Sequence, residues 1–467
     1  MNIKSIFHYL GWFLLPIIGA CLLVISFSYF ADNKTGLGLY FLTLVILLLL
    51  LFLSKFIRNK IELNRISLLL LIVLGWILLP VFISLPYYFS YYQLDYFSSY
   101  YEAASGFLGF GISIFNNPEI LNEPLLLWRS CSQWLGGFFY LFTVVSILSS
   151  TDINFIPNKY ISLNDNSLNF ENKFINNFKN IFYCYLLLSL FILFFLNFTG
   201  LNFFEKLNLM MTIVSSGGFY VKEFLAPIQK LDTLIISTCF LLSSLNVFIF
   251  YEIFRFGKNY NFKEDLYVFV TIILATYILL FIFAKTENFY DLFILITTSI
   301  STSGISLVIK PNSLYLDLLL IFTFIGGSLY CTGSGFKLLR ILFFGKKFLM
   351  EVIRLLNPSI IIKKTIFSSE VTIKNSDYYI ASLIFVFYIC FFFLAILVFS
   401  FENLTFENVY KLAFLTLNNT LPNNYLNKPI TFYDLSYFSH SIILILLVMS
   451  KIYFISILVL IKKLFWK

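Results

Sequence analysis

Long apolar stretches recur along the whole chain, and no other feature of the sequence constrains the fold as strongly. A helix that crosses a bilayer needs about 20 predominantly apolar residues, and ten stretches are of this kind. They run approximately from Leu10 to Phe30, Thr35 to Ser54, Ile66 to Ser90, Leu125 to Ser150, Ile181 to Thr199, Thr233 to Tyr251, Leu266 to Ala284, Leu318 to Gly335, Tyr378 to Ser400 and Ser439 to Ile461. Only 12% of the residues are charged, whereas a soluble domain has about 25%. The sequence therefore excludes a soluble globular protein and predicts an all-α polytopic membrane protein with ten transmembrane helices.

The basic residues alternate between connecting loops, which predicts the orientation in the membrane. Of the 32 Lys and Arg residues, 22 lie before the first span, in the loops within 55–65, 159–179, 255–263 and 337–374, and after the last span. The positive-inside rule places these loops and both termini in the cytoplasm. The other side has an excess of acidic residues, so it favours cations. The net charge of +8 therefore reflects orientation, and we expect no nucleic-acid partner.

The first apolar stretch follows Lys4 but lacks a small-residue cleavage site. We therefore expect a retained helix and not a signal peptide. The six cysteines lie in or beside apolar stretches without CxxC spacing, so the sequence suggests neither a disulfide framework nor a metal site.

After two leading helices the chain repeats one unit four times: a span running outward, a short amphipathic segment, and a span running inward. The short segments are Tyr96 to Gly111, Phe203 to Gly218, Glu287 to Gly304 and Glu407 to Asn424. They are too short to cross a bilayer, and non-helical backbone at membrane depth is tolerated only inside protein or beside a water-filled cavity. Four such segments around one axis would aim the negative ends of four helix dipoles at a common centre. That arrangement suits a cation.

This repeat predicts a division of the chain into five parts. They are an N-terminal two-helix segment (1–62), pore repeat 1 (63–158), pore repeat 2 (159–262), pore repeat 3 with a glycine-rich inner-helix interruption (263–360) and pore repeat 4 (361–467).

Glycine is concentrated in a few short stretches. Ten of the 20 glycines are Gly106, Gly109, Gly111, Gly217, Gly218, Gly304, Gly326, Gly327, Gly333 and Gly335. Glycine adopts backbone angles that other residues avoid, so it suits places where several carbonyls must turn toward one ion. The alternative is close packing between helices, which small residues also serve in membranes. This alternative has most weight for Gly326 and Gly327.

The motifs around these glycines resemble those of the Trk/Ktr/HKT potassium transporters, specifically the Trk-type membrane subunit. The segment from Tyr101 to Gly111 (YEAASGFLGFG) resembles that family's first pore loop, and Trp128 to Gly137 (WRSCSQWLGG) the start of its following helix. SGGF at 216–219 and STSG at 301–304 are similar to the second and third loops. GGSLYCTGSGFKLLR at 326–340 is similar to the family's glycine-rich interruption in the inner helix of the third unit.

The resemblance implies uptake of a monovalent cation, with potassium as the transported ion, across the bacterial inner membrane. It also implies a homodimer, contact with membrane lipid, and a cytoplasmic nucleotide-binding regulatory ring. Backbone carbonyls would replace part of the hydration shell of the ion, so no covalent step or covalent cofactor is needed and the protein would not be an enzyme.

Carried over to this chain, the selectivity filter consists of four loops. Loop 1 is Leu108, Gly109, Phe110 and Gly111; loop 2 is Ser215, Ser216, Gly217 and Gly218; loop 3 is Ser301, Thr302, Ser303 and Gly304; loop 4 is Asn418, Asn419, Thr420 and Leu421. Within them, potassium would contact Gly109, Phe110, Ser216, Gly217, Thr302, Ser303, Asn419 and Thr420.

Two departures from the family pattern concern the filter. Loop 1 has Leu108, Gly109 and Phe110 where the family has a run of threonines, and no glycine follows Gly345 anywhere in the chain. The alignment with the family's Asn-Asn-x-Gly-Pro-Gly puts Leu421 at the filter glycine of loop 4. A leucine at positive φ costs about 1–2 kcal/mol, so Asn419 or Asn423 is the alternative turn residue. We expect an asymmetric filter that discriminates poorly between potassium and sodium.

Lys451 stands near the middle of the last apolar stretch, which contains no other charge. A cation at the centre of a membrane helix costs about 2.5–3.5 kcal/mol even on insertion scales, so such residues usually face a cavity. The alternative is snorkelling to an interface. The family has an arginine at a similar point below the filter, which implies that Lys451 is an electrostatic barrier. With it, the expected gate comprises Gly326, Gly327, Thr332, Gly333 and Gly335.

Three further interpretations stay open. Glu102 and Arg129 form either a structural brace behind the first loop or, for Arg129, an interface anchor. The basic run from Lys346 to Lys364 binds anionic lipid or docks a regulatory partner. Besides a transporter, the chain could be a pseudo-transporter with a degenerate filter or a polytopic membrane enzyme, although no HExxH, DxxD or nucleophile motif is visible.

Overall fold

The computed structural model describes residues 3–30, 36–56, 65–149, 170–220, 229–249, 263–283, 289–305, 313–357, 365–366, 371–372, 375–426 and 429–452. The helices are α1 (Ile3–Phe30), α2 (Leu37–Phe56), α3 (Arg65–Ile83), α4 (Leu85–Tyr88), α5 (Tyr96–Leu108), α6 (Glu123–Ser149), α7 (Phe170–Leu196), α8 (Phe203–Ser215), α9 (Lys230–Ser244), α10 (Lys263–Phe283), α11 (Phe289–Ile300), α12 (Ser313–Ile325), α13 (Leu338–Leu356), α14 (Asn375–Phe399), α15 (Phe406–Leu417) and α16 (Tyr437–Lys451). Strands β1 (Thr365–Ile366) and β2 (Val371–Thr372) form one short antiparallel pair. The all-α prediction is confirmed apart from this pair.

Six helices among the described residues are long and apolar enough to cross a membrane. They correspond to six of the predicted spans: Lys4–Phe30, Leu37–Phe56, Ile66–Tyr88, Glu123–Ile147, Phe174–Leu196 and Tyr378–Phe399. Shorter apolar helices occupy the positions of the other four, at Leu266–Ile278, Leu316–Ile325, Tyr437–Lys451 and α9. The part of the last predicted span from 453 to 461 lies outside the described residues.

Two predicted spans are not continuous helices. The span from Thr233 to Tyr251 is interrupted because α9 ends at Ser244, and the span from Leu318 to Gly335 because α12 ends at Ile325. The two breaks meet in space, since the carbonyl of Ser244 accepts a hydrogen bond from Ser328 N at 2.9 Å. Hydrophobicity alone predicted helix at both places, but the backbone there bonds to a neighbouring segment.

The helix α6 lies at the centre of the first half of the molecule. Its apolar window from Glu123 to Ile147 is 94% buried, so it has almost no surface left for lipid. Phe13 of α1 packs with its ring centroid 4.9 Å from those of both Phe139 and Phe142 on α6. The two leading helices are thus attached to repeat 1 through α1, which also packs against α2 and α3.

The four repeats close into a ring. The short helix α8 packs on α6, α11 on α9, and α5 on α16, so repeats 1 and 2, 2 and 3, and 4 and 1 are joined. Repeats 3 and 4 are joined by an ion pair of 3.0 Å between Lys411 of α15 and Asp317 of α12. The predicted short amphipathic segments are the helices α5, α8, α11 and α15, which point into this ring from one side.

Candidate functional site

The four short helices end in the same backbone conformation. At the second residue of each loop the chain turns left-handed: Gly109 (φ 80°), Ser216 (φ 53°), Thr302 (φ 61°) and Asn419 (φ 49°). Its N–H bonds to the carbonyl three residues back at 2.9–3.1 Å, and the next N–H to the carbonyl five residues back at 3.0–3.1 Å. This is the Schellman geometry of a helix C-terminus. It sets the register of the repeats, with Gly109, Ser216, Thr302 and Asn419 equivalent.

The same register makes Gly111, Gly218, Gly304 and Leu421 equivalent. Gly111 (φ 88°) and Gly304 (φ 70°) are left-handed, whereas Gly218 and Leu421 are not. Leu421 therefore carries no positive-φ strain, and in loop 4 only Asn419, one of the two alternatives, is left-handed. Asn423 is not left-handed either. The fourth loop accepts leucine because its backbone does not need glycine at that place.

All sixteen predicted filter residues are buried except Gly111, which is half-buried. Neighbouring loops approach so closely that a methyl group on Gly111 would lie 2.6 Å from the Cα of Gly218. A methyl group on Gly304 would lie 2.7 Å from the carbonyl oxygen of Leu421. The glycines are thus required by contact between loops as well as by backbone angles.

The fourth residues of the four loops, Gly111, Gly218, Gly304 and Leu421, are here called the outer ring. This ring is asymmetric. A methyl group on Gly218 would lie 2.9 Å from the Cβ of Leu421, so the leucine side chain begins next to loop 2. Leu421 is 4% exposed, yet it belongs to none of the hydrophobic clusters of the described residues. In loop 3 the carbonyl of Gly304 accepts a hydrogen bond of 2.5 Å from Asn424 Nδ2. Two of the four outer positions therefore differ from a simple ring of free carbonyls.

Residues 326–337, here called the glycine-rich segment, have no helical structure and lie against predicted filter loops 2 and 3. Gly326 (φ 64°), Gly335 (φ 81°) and Lys337 (φ 77°) are left-handed. The segment folds back on α12, since Phe336 N bonds to the carbonyl of Phe324 at 2.8 Å. A methyl group on Gly333 would lie 2.7 Å from Ser301 O. The segment containing the expected gate glycines therefore lies directly against the filter.

Two lysines meet below the filter. Lys451 Nζ lies 4.5 Å from the ring centroid of Tyr140, and Lys337 Nζ lies 5.6 Å from the same centroid. Lys451 is 6% exposed and Lys337 is fully buried. A methyl group on Gly109 would lie 4.0 Å from Lys451 Nζ. Lys451 therefore extends toward the filter and does not snorkel, and its ammonium is beside loop 1.

Lys337 was quoted in the sequence motif but not assigned a role there. Its ammonium donates hydrogen bonds to the carbonyls of Cys331, at 3.3 Å, and of Gly333. In the described part of the chain, neither Lys337 nor Lys451 forms an ion pair with a carboxylate. Two positive charges in a largely apolar interior repel a third cation, so this region has the electrostatics of a barrier. The signal that could have identified Lys337 is its charge within a glycine-rich apolar stretch.

Glu102 and Arg129 lie together behind the filter. Arg129 Nε donates to Glu102 Oε1 at 2.8 Å, and both side chains are buried. The same carboxylate accepts from Ile114 N at 2.8 Å and from Ser113 Oγ at 3.0 Å. The Arg129 guanidinium lies 4.2 Å from the ring centroid of Phe219, which follows loop 2. The pair therefore connects the chain after loop 1 with the chain after loop 2, and Arg129 does not face an interface.

Replacing Glu102 by glutamine is expected to lower thermal stability strongly, because removing one partner of a buried ion pair typically costs about 3–5 kcal/mol. The matched control is Glu351→Gln, whose exposed partner is Arg354 at 3.3 Å; such pairs contribute about 0–1 kcal/mol. Thermal unfolding of both variants in detergent would measure the difference. Equal stability of the two variants would contradict a bracing role for Glu102.

Two other positioning side chains were not predicted as site residues. Gln133 binds both backbone groups of Phe219: its Oε1 accepts from the N–H at 3.0 Å and its Nε2 donates to the carbonyl at 3.2 Å. Lys411 is buried in α15 and bonds to Glu407 at 2.7 Å as well as to Asp317. Gln133 lay within a quoted motif, but Lys411 gave no signal because a lysine on a short amphipathic helix is ordinarily solvated.

The outer end of α16, the helix that carries Lys451, is held by an acid. Glu402 accepts hydrogen bonds from Ser436 N at 3.2 Å and Ser436 Oγ at 2.5 Å, and also from Ser439 Oγ. Partial burial raises the pKa of Glu402, but the hydrogen bonds from Ser436 and Ser439 outweigh it and the pKa lies below its ordinary value. The ionised carboxylate thus fixes the N-terminus of α16, as is favourable near a helix N-terminus.

Two known proteins are similar to this chain in sequence. An uncharacterized cation transporter from Methanocaldococcus jannaschii is 25% identical over 288 residues, which are 61% of this chain and 60% of that protein. The Trk system potassium uptake protein TrkH of Escherichia coli is 25% identical over 326 residues, which are 65% of this chain and 66% of that protein. No protein-family model matches the chain.

The fold matches along the whole chain. The crystal structure of the potassium transporter TrkH from Vibrio parahaemolyticus superposes with a TM-score of 0.82, covering 100% of both chains at 21% sequence identity. In sequence, the chain spans less than two thirds of the length of each of the two curated relatives. Together these matches confirm the resemblance that the pore-loop motifs predicted.

Proposed function

We propose that this chain, which resembles the Trk-type potassium transporters in fold and in its pore-loop motifs, carries monovalent cations, with potassium as the principal ion, into the cell. The observation that carries the proposal is the fourfold repetition of one helix-to-loop turn in loops that lie against one another. Four helix C-termini, each followed by two hydrogen-bonded loop residues, supply the partial negative charge and the carbonyls that a dehydrated cation needs. The ion is the substrate, and no covalent chemistry is required.

In this proposal the filter is formed by the four loops, and potassium contacts the carbonyls of the two middle residues of each. The glycine-rich segment and Lys451 form the barrier on the inner side. Lys451 raises the energy of a cation at the inner end, and the glycine-rich segment blocks the path mechanically. The support for these two roles is that Lys451 lies directly against loop 1 and the glycine-rich segment directly against loop 3.

We further propose that the protein lies in a bacterial inner membrane with both termini in the cytoplasm, acts as a homodimer, and is regulated by a cytoplasmic nucleotide-binding ring. The support is the resemblance and the distribution of Lys and Arg. The basic run from Lys346, in α13, to Lys364, outside the described residues, is the proposed contact with anionic lipid or with that ring.

Growth of a potassium-uptake-deficient bacterial host tests the function. Expression of this chain is expected to restore growth in low-potassium medium, because uptake through the filter replaces the missing transporter. The control is a chain with Gly304→Val, in which the side chain would clash with the backbone of Leu421 2.7 Å away and the left-handed backbone would be strained. If a well-expressed, membrane-inserted chain fails to rescue, the transport proposal is wrong.

A pseudo-transporter is the second candidate, and Leu421 is the observation that favours it. The side chain of Leu421 lies next to loop 2, and the carbonyl of Gly304 is already hydrogen-bonded to Asn424, so the outer ring is less open to a cation. Such a chain would keep the fold and conduct little, serving as a regulatory subunit. A polytopic enzyme remains the third class, and rescue of growth separates the first candidate from both others.

A further inference from the structure

The four equivalent left-handed positions at the inner end of the filter have an unequal set of side chains. Ser216, Thr302 and Asn419 each carry a polar side chain, whereas Gly109 has none. All four are buried, and the four helices end alike, so the side chains leave the filter in equivalent directions. What each side chain bonds to is therefore informative.

Two of these side chains bind the glycine-rich segment. Ser216 Oγ lies 3.1 Å from Thr332 Oγ1. The Thr332 hydroxyl donates to the carbonyl of Val214 at 2.7 Å, so Ser216 is the donor between the two hydroxyls. Thr302 Oγ1 accepts a hydrogen bond of 2.8 Å from Ser334 N. Loops 2 and 3 are thus joined to the segment on both sides of Gly333.

The remaining two positions face α16. Asn419 Nδ2 donates to Ser450 Oγ, next in sequence to Lys451. At Gly109 the missing side chain leaves room for the ammonium of Lys451, 4.0 Å from the place that a methyl group would occupy. Every equivalent position of the filter is therefore in contact with one of the two elements proposed as the gate.

We propose that Ser216 and Thr302 are positioning residues that latch the filter to the glycine-rich segment, so that this segment moves only when these hydrogen bonds break, while Asn419 holds the filter to α16 beside Lys451. The inference rests on the proposed function, because a latch matters only where a gate opens. It goes beyond that function by making filter and gate one mechanical unit. The few side-chain hydrogen bonds between the filter loops and the glycine-rich segment then set the balance between the closed and the open state.

Ser216→Ala is expected to raise potassium flux into liposomes by about 2- to 12-fold, the factor by which the loss of one ordinary hydrogen bond shifts a two-state equilibrium. Thr332→Val should raise it similarly or more, and the double variant should match Thr332→Val alone, because both changes remove one shared bond. The matched control is Thr323→Val: the hydroxyl of Thr323 is equally buried but bonds within α12, to Leu320 O at 2.8 Å. Multiplicative effects in the double variant, or unchanged flux in Ser216→Ala, would overturn the proposal.

A second measurement does not depend on conduction. Cys331 in the glycine-rich segment is fully buried, so a charged, membrane-impermeant methanethiosulfonate reagent labels it only when the segment opens. In a chain whose other five cysteines are replaced by alanine, Ser216→Ala is expected to raise the labelling rate by the same 2- to 12-fold factor, and Thr323→Val to leave it unchanged. An unchanged rate in Ser216→Ala overturns the latch even if flux is absent in every variant. Faster labelling without flux supports the latch while the transport proposal fails.

Discussion

Lys451→Ala is expected to raise cation flux by about two orders of magnitude. The Lys451 ammonium lies beside loop 1 and, in the described part of the chain, has no carboxylate partner. Two unit charges about 6 Å apart at an effective dielectric constant near 20 repel by about 3 kcal/mol. Since about 1.4 kcal/mol corresponds to a tenfold change, removing the charge favours a cation at the inner end of the filter about a hundredfold. Potassium flux into liposomes measures the effect.

Two further variants separate charge from size at this position. Lys451→Met keeps the length of the side chain and removes the charge, so it should behave like Lys451→Ala. Lys451→Arg keeps the charge and should leave flux low. A well-folded Lys451→Ala or Lys451→Met chain with unchanged or lower flux would count against the barrier.

Leu421→Gly is expected to raise potassium flux by about 10- to 100-fold and to increase the preference for potassium over sodium. Removing the side chain clears the space next to Gly218, so that a cation approaches the existing carbonyls of loop 4 more closely. An ion–carbonyl contact is comparable with a hydrogen bond to a charged group, which contributes about 1.5–3 kcal/mol. Glycine also makes the loop less ordered, at a cost of about 0.5–1 kcal/mol, which lowers stability but not conduction.

The control for this variant is a neighbouring leucine that packs in the core. Leu417, at the end of the same short helix, is 2% exposed and belongs to the large hydrophobic cluster. Leu417→Ala should destabilise the protein by about 2–5 kcal/mol without raising flux.

The expected poor discrimination between potassium and sodium is tested on the unchanged chain. Its potassium and sodium fluxes into liposomes are compared, and a strong preference for potassium would refute the expectation. Flux that appears only in Leu421→Gly would favour the pseudo-transporter.

The apolar pattern predicted the membrane fold and the short helices well because bilayer burial imposes both. The predicted segments from Tyr96, Phe203 and Glu407 begin within one residue of α5, α8 and α15, since their polar N-terminal residues act as caps. Asp95 accepts from Ser98 N at 3.4 Å and Asn202 forms a capping box with Glu205. Capping is local, so the sequence carries it.

The apolar pattern wrongly predicted a continuous helix where the backbone bonds to a segment that is distant in sequence. Ser244 ends α9 where its carbonyl bonds to Ser328 N of the glycine-rich segment, a contact that hydropathy does not record, whereas the end of α12 at Ile325 precedes the interruption that the family resemblance implied. Leu421 carries no positive-φ strain. The left-handed turn in loop 4 occurs at Asn419, which the sequence offered only as one of two alternatives.

By itself, the sequence determined the number and placement of the apolar segments and the uneven distribution of Lys and Arg, whereas the residues of the four filter loops were predicted from the family resemblance. The apolar segments and the charge distribution depend on local composition, which each segment carries wherever it lies. Only the tertiary structure decided which charges meet: Lys337 with Lys451 at Tyr140, Glu102 with Arg129, and Lys411 with Asp317. It also decided that the side chains of Ser216 and Thr302 bond to the glycine-rich segment. Electrostatic and hydrogen-bond energies fall steeply with distance, so they follow from the folded arrangement and not from spacing along the chain.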